Sequence, residues 1–274
     1  MICLTGDIHQ ASLRTGNQAH APISEIQIAL RYLRWLEQAN VKVTFLISGK
    51  CFVEEWEDLR AITTHPLVEV GGHNWSCFSP TLLHRVSNKL LGSYNGPAWY
   101  QRWDAARTLA VVRERTGKRI RCWRNHMYMH GPHTERVLAS LGIVICSDGV
   151  SKDVRGPVWH RAGVYNFPIN VIPDHEHIYH AERTPEWVAA WRTRYAWRDD
   201  FGPDSYEIDE WAELVLAQLQ DHEERGIVSN LIIHPITMYL ADRFAAFRRI
   251  LEFIQRCESV HMSEVVAFAR TRRS

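Results

Sequence analysis

Six polar or charged residues follow short apolar segments that lie far apart in the sequence. They are Asp7, His9, His73, Arg124, Asp148 and His234. A single histidine after a strand is more often a hydrogen-bonded structural residue than a catalytic one. Six such residues at successive strand ends need another explanation, because apolar strands give no structural reason for them. Carboxylate, imidazole and guanidinium groups in one place are suited to holding a divalent cation and to moving protons near neutral pH.

A second polar cluster lies in the later part of the chain. It is the run Asp174-His175-Glu176-His177, with His180 and Glu182 close behind. Two interpretations are open. In the first, the run is a solvated loop. In the second, it reaches over the site, where Asp174, His175 and His177 bind substrate hydroxyls or supply a metal ligand.

The elements that must position these residues can be read from the hydrophobic pattern. Short apolar runs alternate with longer amphipathic stretches, which predicts an α/β fold of βα units around a largely parallel sheet. Strands are predicted at 2–4, 41–47, 67–70, 120–123, 143–146 and 227–233. In a parallel barrel the carboxyl ends of the strands face one mouth, so the six residues would meet there.

The 274 residues are expected to form one domain, 1–274, because barrels of this length commonly fold as one unit. The sequence shows no repeat, low-complexity segment or linker. Its less regular segment, at about 150–205, is expected to be an insertion over the barrel mouth. A hydrophobic content of 46% with 23% charged residues is ordinary for a globular enzyme.

The composition excludes several classes of partner. The formal net charge of +1 gives no broad positive field for nucleic acid or an anionic membrane. No apolar run reaches the roughly 18 residues of a membrane span. Residues 1–7 lack the pattern of an export leader and the six cysteines form no CxxC pair, so reduced thiols and a cytoplasmic location are expected. The arginine-rich residues 270–273 are expected to be a short solvated tail.

Five segments, in order along the chain, resemble the motifs of the polysaccharide deacetylases (NodB-homology, carbohydrate esterase family 4). They are Leu4-Thr5-Gly6-Asp7-Ile8-His9, Lys42 to Gly49, Val68 to Cys77, Trp123-Arg124-Asn125-His126, and Leu231 to Pro235. The resemblance implies an irregular (β/α)7-type barrel and metal-dependent hydrolysis of an amide bond. It places Asp7 at the family's catalytic base, His73 at a metal ligand and Asp148 at a substrate-contacting acid.

Two metal ligands of the family are replaced in this sequence. Ile8 stands at the position of a second acid, and Cys77 at that of a second histidine. Asp7 and His9 share side-chain parity, so with His73 they would supply one oxygen and two imidazole ligands and leave the open position of a catalytic zinc site. Cys77 lies one helical turn after His73 and is either a further ligand or a packed thiol. The predicted cofactor is a divalent metal, zinc first, with cobalt or nickel as alternatives.

Hydrolysis of an amide also needs an oriented base and a proton for the leaving nitrogen. Arg124 is predicted to hold the Asp7 carboxylate through its planar guanidinium, and His234 is predicted to be the general acid. Trp75 is predicted to stack on a sugar face.

The leading hypothesis is a hydrolase that removes an N-acetyl or similar acyl group from a sugar, in surface-glycan biosynthesis. One alternative is hydrolysis of a small non-sugar amide, as in allantoinase-like relatives of the fold. Another is a carbohydrate-binding protein without catalytic activity. The expected partner is the carbohydrate or small amide, without nucleic acid or a membrane span, and the sequence does not predict the oligomeric state.

Overall fold

The apolar segments form one eight-stranded sheet in a computed structural model, which describes residues 1–271. The side chains of the arginine-rich residues 270–273, and with them the expected tail, lie outside the described residues. The strands are β1 (Ile2–Ile8), β2 (Val43–Ile47), β3 (Val68–Gly72), β4 (Cys122–Trp123), β5 (Ile145–Cys146), β6 (Val158–His160), β7 (Val164–Asn166) and β8 (Ser229–Ile232). Every residue of β1 and β2 is buried, as expected for parallel strands covered on both faces.

The order of the strands in the sheet is β6-β7-β5-β4-β3-β2-β1-β8. Neighbouring strands are parallel except β6, which pairs with β7 in the antiparallel sense. The seven parallel strands curl into a barrel that is not closed by a strand ladder. This arrangement confirms the predicted irregular barrel.

Asn170 bridges the gap between the two ends of the parallel barrel. Its side-chain amide donates to the carbonyl oxygen of Val228 at 2.9 Å, and its side-chain oxygen accepts from the backbone N–H of Asn230 at 2.7 Å. Its own backbone N–H donates to the carbonyl oxygen of Asn230 at 3.3 Å. The side chain of Asn230 adds a hydrogen bond by donating to the carbonyl oxygen of Phe167 at 2.6 Å, so two asparagines replace part of the hydrogen bonding of a strand pair.

Helices surround the sheet. Within the described residues they are α1 (Gly16–His20), α2 (Glu25–Ala39), α3 (Cys51–Glu54), α4 (Trp56–Thr63), α5 (Thr81–Leu91), α6 (Ala98–Thr116), α7 (Thr134–Ser140), α8 (Asp174–His177), α9 (Pro185–Tyr195), α10 (Ile208–Glu224), α11 (Pro235–Asp242), α12 (Ala245–Ile254) and α13 (Met262–Thr271). No helix in residues 1–271 combines the length and apolarity needed to cross a bilayer.

The local sequence explains the principal helices. Ser24 caps α2 by accepting a hydrogen bond from the backbone N–H of Gln27, and the helix buries a stripe that includes Ile28 and Leu36. Periodicity alone predicts one helix over 239–257. The structure instead has two, α11 and α12, because Arg243 and Phe244 adopt positive φ angles of 58° and 73° between them.

Two other expectations about the fold need correction. The apolar residues at 260–262 also predict a last short strand, but the described residues have none there and α13 begins at Met262. The segment 150–205 is only partly an insertion, because it contains β6 and β7, which join the sheet. Its remaining part, around α8, lies over the mouth, because Asp174 of this helix contacts the end of β8.

A glycine in β3 is required by close packing, which gives a first testable prediction. A β-carbon at Gly72 would overlap the indole ring of Trp123 on the neighbouring strand. We expect Gly72→Ala to lower the free energy of unfolding by about 1–3 kcal/mol, the usual cost of overpacking a core. Gly156→Ala is the control, because its β-carbon would meet nothing closer than 3.9 Å. Urea unfolding of both variants measures the effect, and equal stabilities would contradict this account of Gly72.

Candidate active site

Side chains from four strand ends meet at the mouth of the barrel. Asp7 is in β1, His73 follows β3, Arg124 follows β4 and His234 follows β8, and all four are buried. The Asp7 carboxylate lies 2.9 Å from Arg124 Nη1, 3.8 Å from His73 Nδ1 and 3.7 Å from His234 Nε2. The structure therefore brings together the residues predicted to be base, orienting group, ligand and acid.

Arg124 is completely buried and fixed by several acceptors. Besides Asp7, it donates from Nη2 to the hydroxyls of Thr5 and Ser147 at 2.9 and 2.8 Å, and from Nε to the Ser147 carbonyl at 3.1 Å. Burial raises the pKa of Asp7, but the guanidinium of Arg124 and the imidazoles of His73 and His234 together hold it well below its usual value. Asp7 is consequently an ionised and oriented carboxylate.

Asp174 and His234 form a hydrogen-bonded pair opposite Asp7. One Asp174 oxygen accepts from His234 Nδ1 at 2.7 Å, and the other accepts from the backbone N–H of His234 at 2.7 Å. Burial lowers the pKa of His234, but the Asp174 carboxylate outweighs burial and raises it well above its usual value. Both carboxylate oxygens of Asp174 are engaged with His234, so the residue positions this imidazole, and its predicted contact with substrate stays a prediction.

Three histidines face one another beside this pair. His9 Nε2 lies 3.2 Å from His73 Nε2, and His73 Nε2 lies 3.3 Å from His126 Nδ1. Cys77 completes the group, and the four ligand atoms lie within 4.8 Å of one another. Two nitrogens bound to a tetrahedral zinc ion at about 2.0–2.1 Å would be about 3.4 Å apart, so the spacing of the histidines fits such an ion.

Hydrogen bonding fixes which ring nitrogens are free. His9 Nδ1 donates to Glu25 Oε2 at 3.0 Å, and His73 Nδ1 donates to the carbonyl oxygen of Arg124 at 2.9 Å. Both rings therefore direct Nε2 into the group. Burial lowers the pKa of His73 to about 3, so its Nε2 carries a free lone pair near neutral pH that a metal ion can use. A divalent metal fits the site.

The ligand set differs from the one predicted by sequence. Asp7 is not one of these four residues, and its carboxylate pairs with Arg124 and His234, so its role as a metal ligand stays a prediction. His126 was missed as a ligand, and Glu25 was missed as the residue that orients His9. His126 has the same parity as Arg124 two residues earlier, which is the signal that was available. Cys77 is beside the three histidines, and burial raises the pKa of its thiol well above the usual value.

Comparisons with known proteins were made for sequence and for structure. No protein-family model matches the chain, and no curated protein matches it in sequence. A structure from Mycobacterium smegmatis assigned as a polysaccharide deacetylase superimposes over 99% of this chain and 90% of its own, with a TM-score of 0.72 and 18% identity. The chain has the polysaccharide-deacetylase fold.

Other proteins with the polysaccharide-deacetylase fold have different activities. PuuE allantoinase matches with a TM-score of 0.65 at 12% identity, over 96% of this chain and 88% of its own. A CE4 family pseudoenzyme from Bacillus anthracis matches with a TM-score of 0.53 at 14% identity, over 97% of this chain and 64% of its own. The fold therefore does not determine the activity, which has to be argued from the site.

Two residues predicted to bind substrate in this fold are placed elsewhere. Trp75 is 8% exposed, and the guanidinium of Arg107 lies 3.6 Å from its ring centroid, so its face does not offer a stacking platform. His177 is fully buried, with Nδ1 2.6 Å from the carbonyl oxygen of Asp204 and Nε2 3.0 Å from Asp199. These contacts hold the segment that follows α8, so the structure gives both side chains partners within the protein, and their predicted contacts with substrate stay predictions.

Asp148 supports the turn that carries His126. It accepts hydrogen bonds from the backbone N–H and the side-chain amide of Asn125, both at 2.8 Å. Burial raises its pKa to about 6. Asp148 thus positions the turn that carries His126, and its predicted contact with substrate stays a prediction.

His175 does lie at the site, beside His234 with ring centroids 5.7 Å apart. It also contacts the ring of His180 at 5.3 Å and the side-chain amide of Asn17 at 3.3 Å. His180 Nε2 and Asn17 Oδ1 are buried and have no hydrogen-bond partner in the protein. This wall of the mouth thus contains acceptors that a polar ligand could satisfy.

The histidine cluster gives a prediction about metal content. We expect the purified protein to bind about one equivalent of zinc or cobalt, and His73→Ala and His126→Ala to abolish that binding, because each removes a central nitrogen. His65→Ala is the control, since His65 pairs with Glu37 on the surface. Elemental analysis measures the metal. Unchanged metal content in His126→Ala would exclude this residue as a ligand.

Proposed function

We propose that the protein is a metal-dependent hydrolase that removes an N-acetyl or similar acyl group from an amino sugar. The observation that carries the proposal is the placement of an ionised carboxylate and a protonated imidazole 3.7 Å apart, next to the histidine cluster. Paired groups whose environments separate their pKa values are the usual means of combining base and acid catalysis. The fold, shared with polysaccharide deacetylases, is consistent with this reaction.

The residues of the chain divide the chemistry between them. A divalent cation held by His9, His73 and His126 would act as a Lewis acid and make a water molecule easier to deprotonate. Asp7 is a weak base and needs this assistance to take the proton. Arg124 orients the Asp7 carboxylate and keeps it ionised until it accepts this proton. His234 then donates the Nε2 proton to the leaving nitrogen, and Asp174 stabilises the imidazolium before the transfer and fixes its direction.

A hydroxyl-rich substrate is supported by the wall formed by Asn17, His175 and His180. Its two unpartnered acceptors would accept hydrogen bonds from hydroxyl groups, which an acylated sugar supplies in number. We place the reaction in surface-glycan biosynthesis in the cytoplasm. The support for that compartment is that the six cysteines are all unpaired, five of them buried. The second candidate, hydrolysis of a small non-sugar amide, is favoured by the likeness to PuuE allantoinase.

Release of the acyl group is the direct test. The zinc-loaded protein is incubated with N-acetylated sugars in free, nucleotide-linked and lipid-linked forms, and with allantoin, and acetate or ring-opened product is quantified. We expect acetate release from at least one sugar, lost in Asp7→Asn. Turnover of allantoin alone would favour the small-amide hydrolase. Sugar binding without any turnover of the metal-loaded protein would reject the enzyme.

A further inference from the structure

Helix α5 exposes its apolar side chains where other surface helices bury theirs. Leu82, Leu83, Val86, Leu90 and Leu91 are 72%, 62%, 47%, 74% and 53% exposed. The buried residue of the helix is a histidine, His84. A surface helix normally turns its apolar stripe toward the core, because that burial is what stabilises it. The reversed orientation of α5 indicates that the stripe has a partner outside the chain.

The first turns of α6, which contacts α5 through Tyr100, carry two further exposed apolar side chains. Trp99 and Trp103 are 71% and 51% exposed. Tyr100 lies between them, with ring centroids 5.9 and 5.7 Å from theirs, and contacts the His84 ring at 5.6 Å. We call the five apolar residues of α5 together with Trp99 and Trp103 the apolar surface. Contiguous exposed patches of this kind mark sites of interaction with proteins or membranes.

The segment that carries the apolar surface has exposed charges of one sign. The sequence contains no aspartate or glutamate between Glu69 and Asp104, and Asp104 itself is buried. Exposed basic residues border the patch: Arg85 and Lys89 on α5, and Arg102 on α6. The net charge of the whole chain, only +1, conceals this local excess of positive charge.

The combination of basic and apolar groups indicates which kind of partner binds the apolar surface. A symmetric contact between two copies would place the same basic residues of each copy against one another, which is unfavourable. An anionic bilayer satisfies every feature at once. Leucine side chains enter the acyl boundary, tryptophans lie at the headgroup level, and arginine and lysine meet the phosphates. We propose that the apolar surface docks the protein on an anionic lipid bilayer.

The docked surface adjoins the candidate active site. Phe78 packs between the rings of His84 in α5, at 4.7 Å, and His126 of the histidine cluster, at 5.6 Å. Docking therefore brings the helix that packs beside the histidine cluster against the lipid headgroups. This inference rests on the proposed function. The position of the site beside the docking helix identifies the substrate class as an acylated amino sugar carried on a lipid.

Vesicle binding tests the surface without any need for catalysis. We expect the full chain to co-sediment with vesicles that contain phosphatidylglycerol, to bind pure phosphatidylcholine vesicles more weakly, and to be released by salt. Leu82→Glu and Leu90→Glu should each weaken binding at least about tenfold, because one inserted leucine is lost. Glutamate preserves helix propensity, so α5 should remain folded. Val158→Glu, at a valine that is 54% exposed outside the surface, should bind like the wild type.

The results separate the alternatives. Unchanged vesicle binding in Leu82→Glu and Leu90→Glu overturns the proposal, as does equal binding to neutral and anionic vesicles. A dimer in analytical ultracentrifugation that these variants dissociate, without vesicle binding by the wild type, would assign the surface to a second copy instead. Vesicle binding by a protein that releases no acyl group leaves the docking surface in place and counts against the proposed function alone.

Discussion

His234→Ala is expected to lower kcat by about 10²–10⁴-fold while leaving the metal content unchanged. The imidazole is protonated by its pairing with Asp174 and points Nε2 toward Asp7, so its loss removes the proton for the leaving nitrogen. It contributes no atom to the histidine cluster, and metal binding should therefore persist. Steady-state kinetics and elemental analysis on one preparation measure both quantities. Loss of the metal would show that His234 is a ligand and not the acid.

Asp174→Asn is the matched variant for this prediction. It keeps the shape of the side chain but removes the charge that raises the pKa of His234. The general acid would then lose its proton at a lower pH, so the alkaline limb of the kcat profile should move toward lower pH. A merely structural role for Asp174 would reduce activity without moving that limb.

Arg124→Met is expected to lower the free energy of unfolding by about 3–5 kcal/mol and to abolish turnover. Removing one member of a buried ion pair leaves the other charge without compensation, and Asp7 is only 2% exposed. Thr5 and Ser147 would also lose their charged donor. Urea unfolding monitored by circular dichroism gives the stability, and acyl release gives the activity.

The double variant Asp7→Asn/Arg124→Met distinguishes the two effects of that substitution. Because it removes both charges, it should regain part of the stability lost in Arg124→Met but none of the activity. A double variant no more stable than the single one would show that packing of the arginine, and not its pairing with Asp7, supports the fold.

Much of the fold could be predicted because the strands carry their own signal. The buried strand β1 and the polar residues that follow β3, β4 and β8 are visible in the sequence, and a parallel barrel brings such strand ends together. The apolar character of α5 is equally visible, but whether a stripe faces the core or the solvent depends on neighbours distant in the sequence.

The roles of individual site residues were harder to predict. Asp174 and His234 are 60 positions apart, and His73 and His126 are 53 apart, so no local pattern pairs them. His126 lies in a short turn after β4 whose path is set by Asn125 and Asp148, and a turn of this kind has no periodicity from which to infer a direction. The pairing of Glu25 with His9 is set by tertiary contacts, which the sequence alone does not reveal.

The gap between the two ends of the barrel, bridged by Asn170 and Asn230, also indicates where the circumference of the barrel can change. Between any two of the parallel strands, inserting residues would shift a hydrogen-bonded register and turn side chains to the wrong face. At the gap there is no strand register to shift, and the bridging hydrogen bonds come largely from these two asparagines. A larger or smaller acyl group or sugar would be accommodated most readily by changes at this gap. The strands that carry the catalytic residues would then stay unchanged.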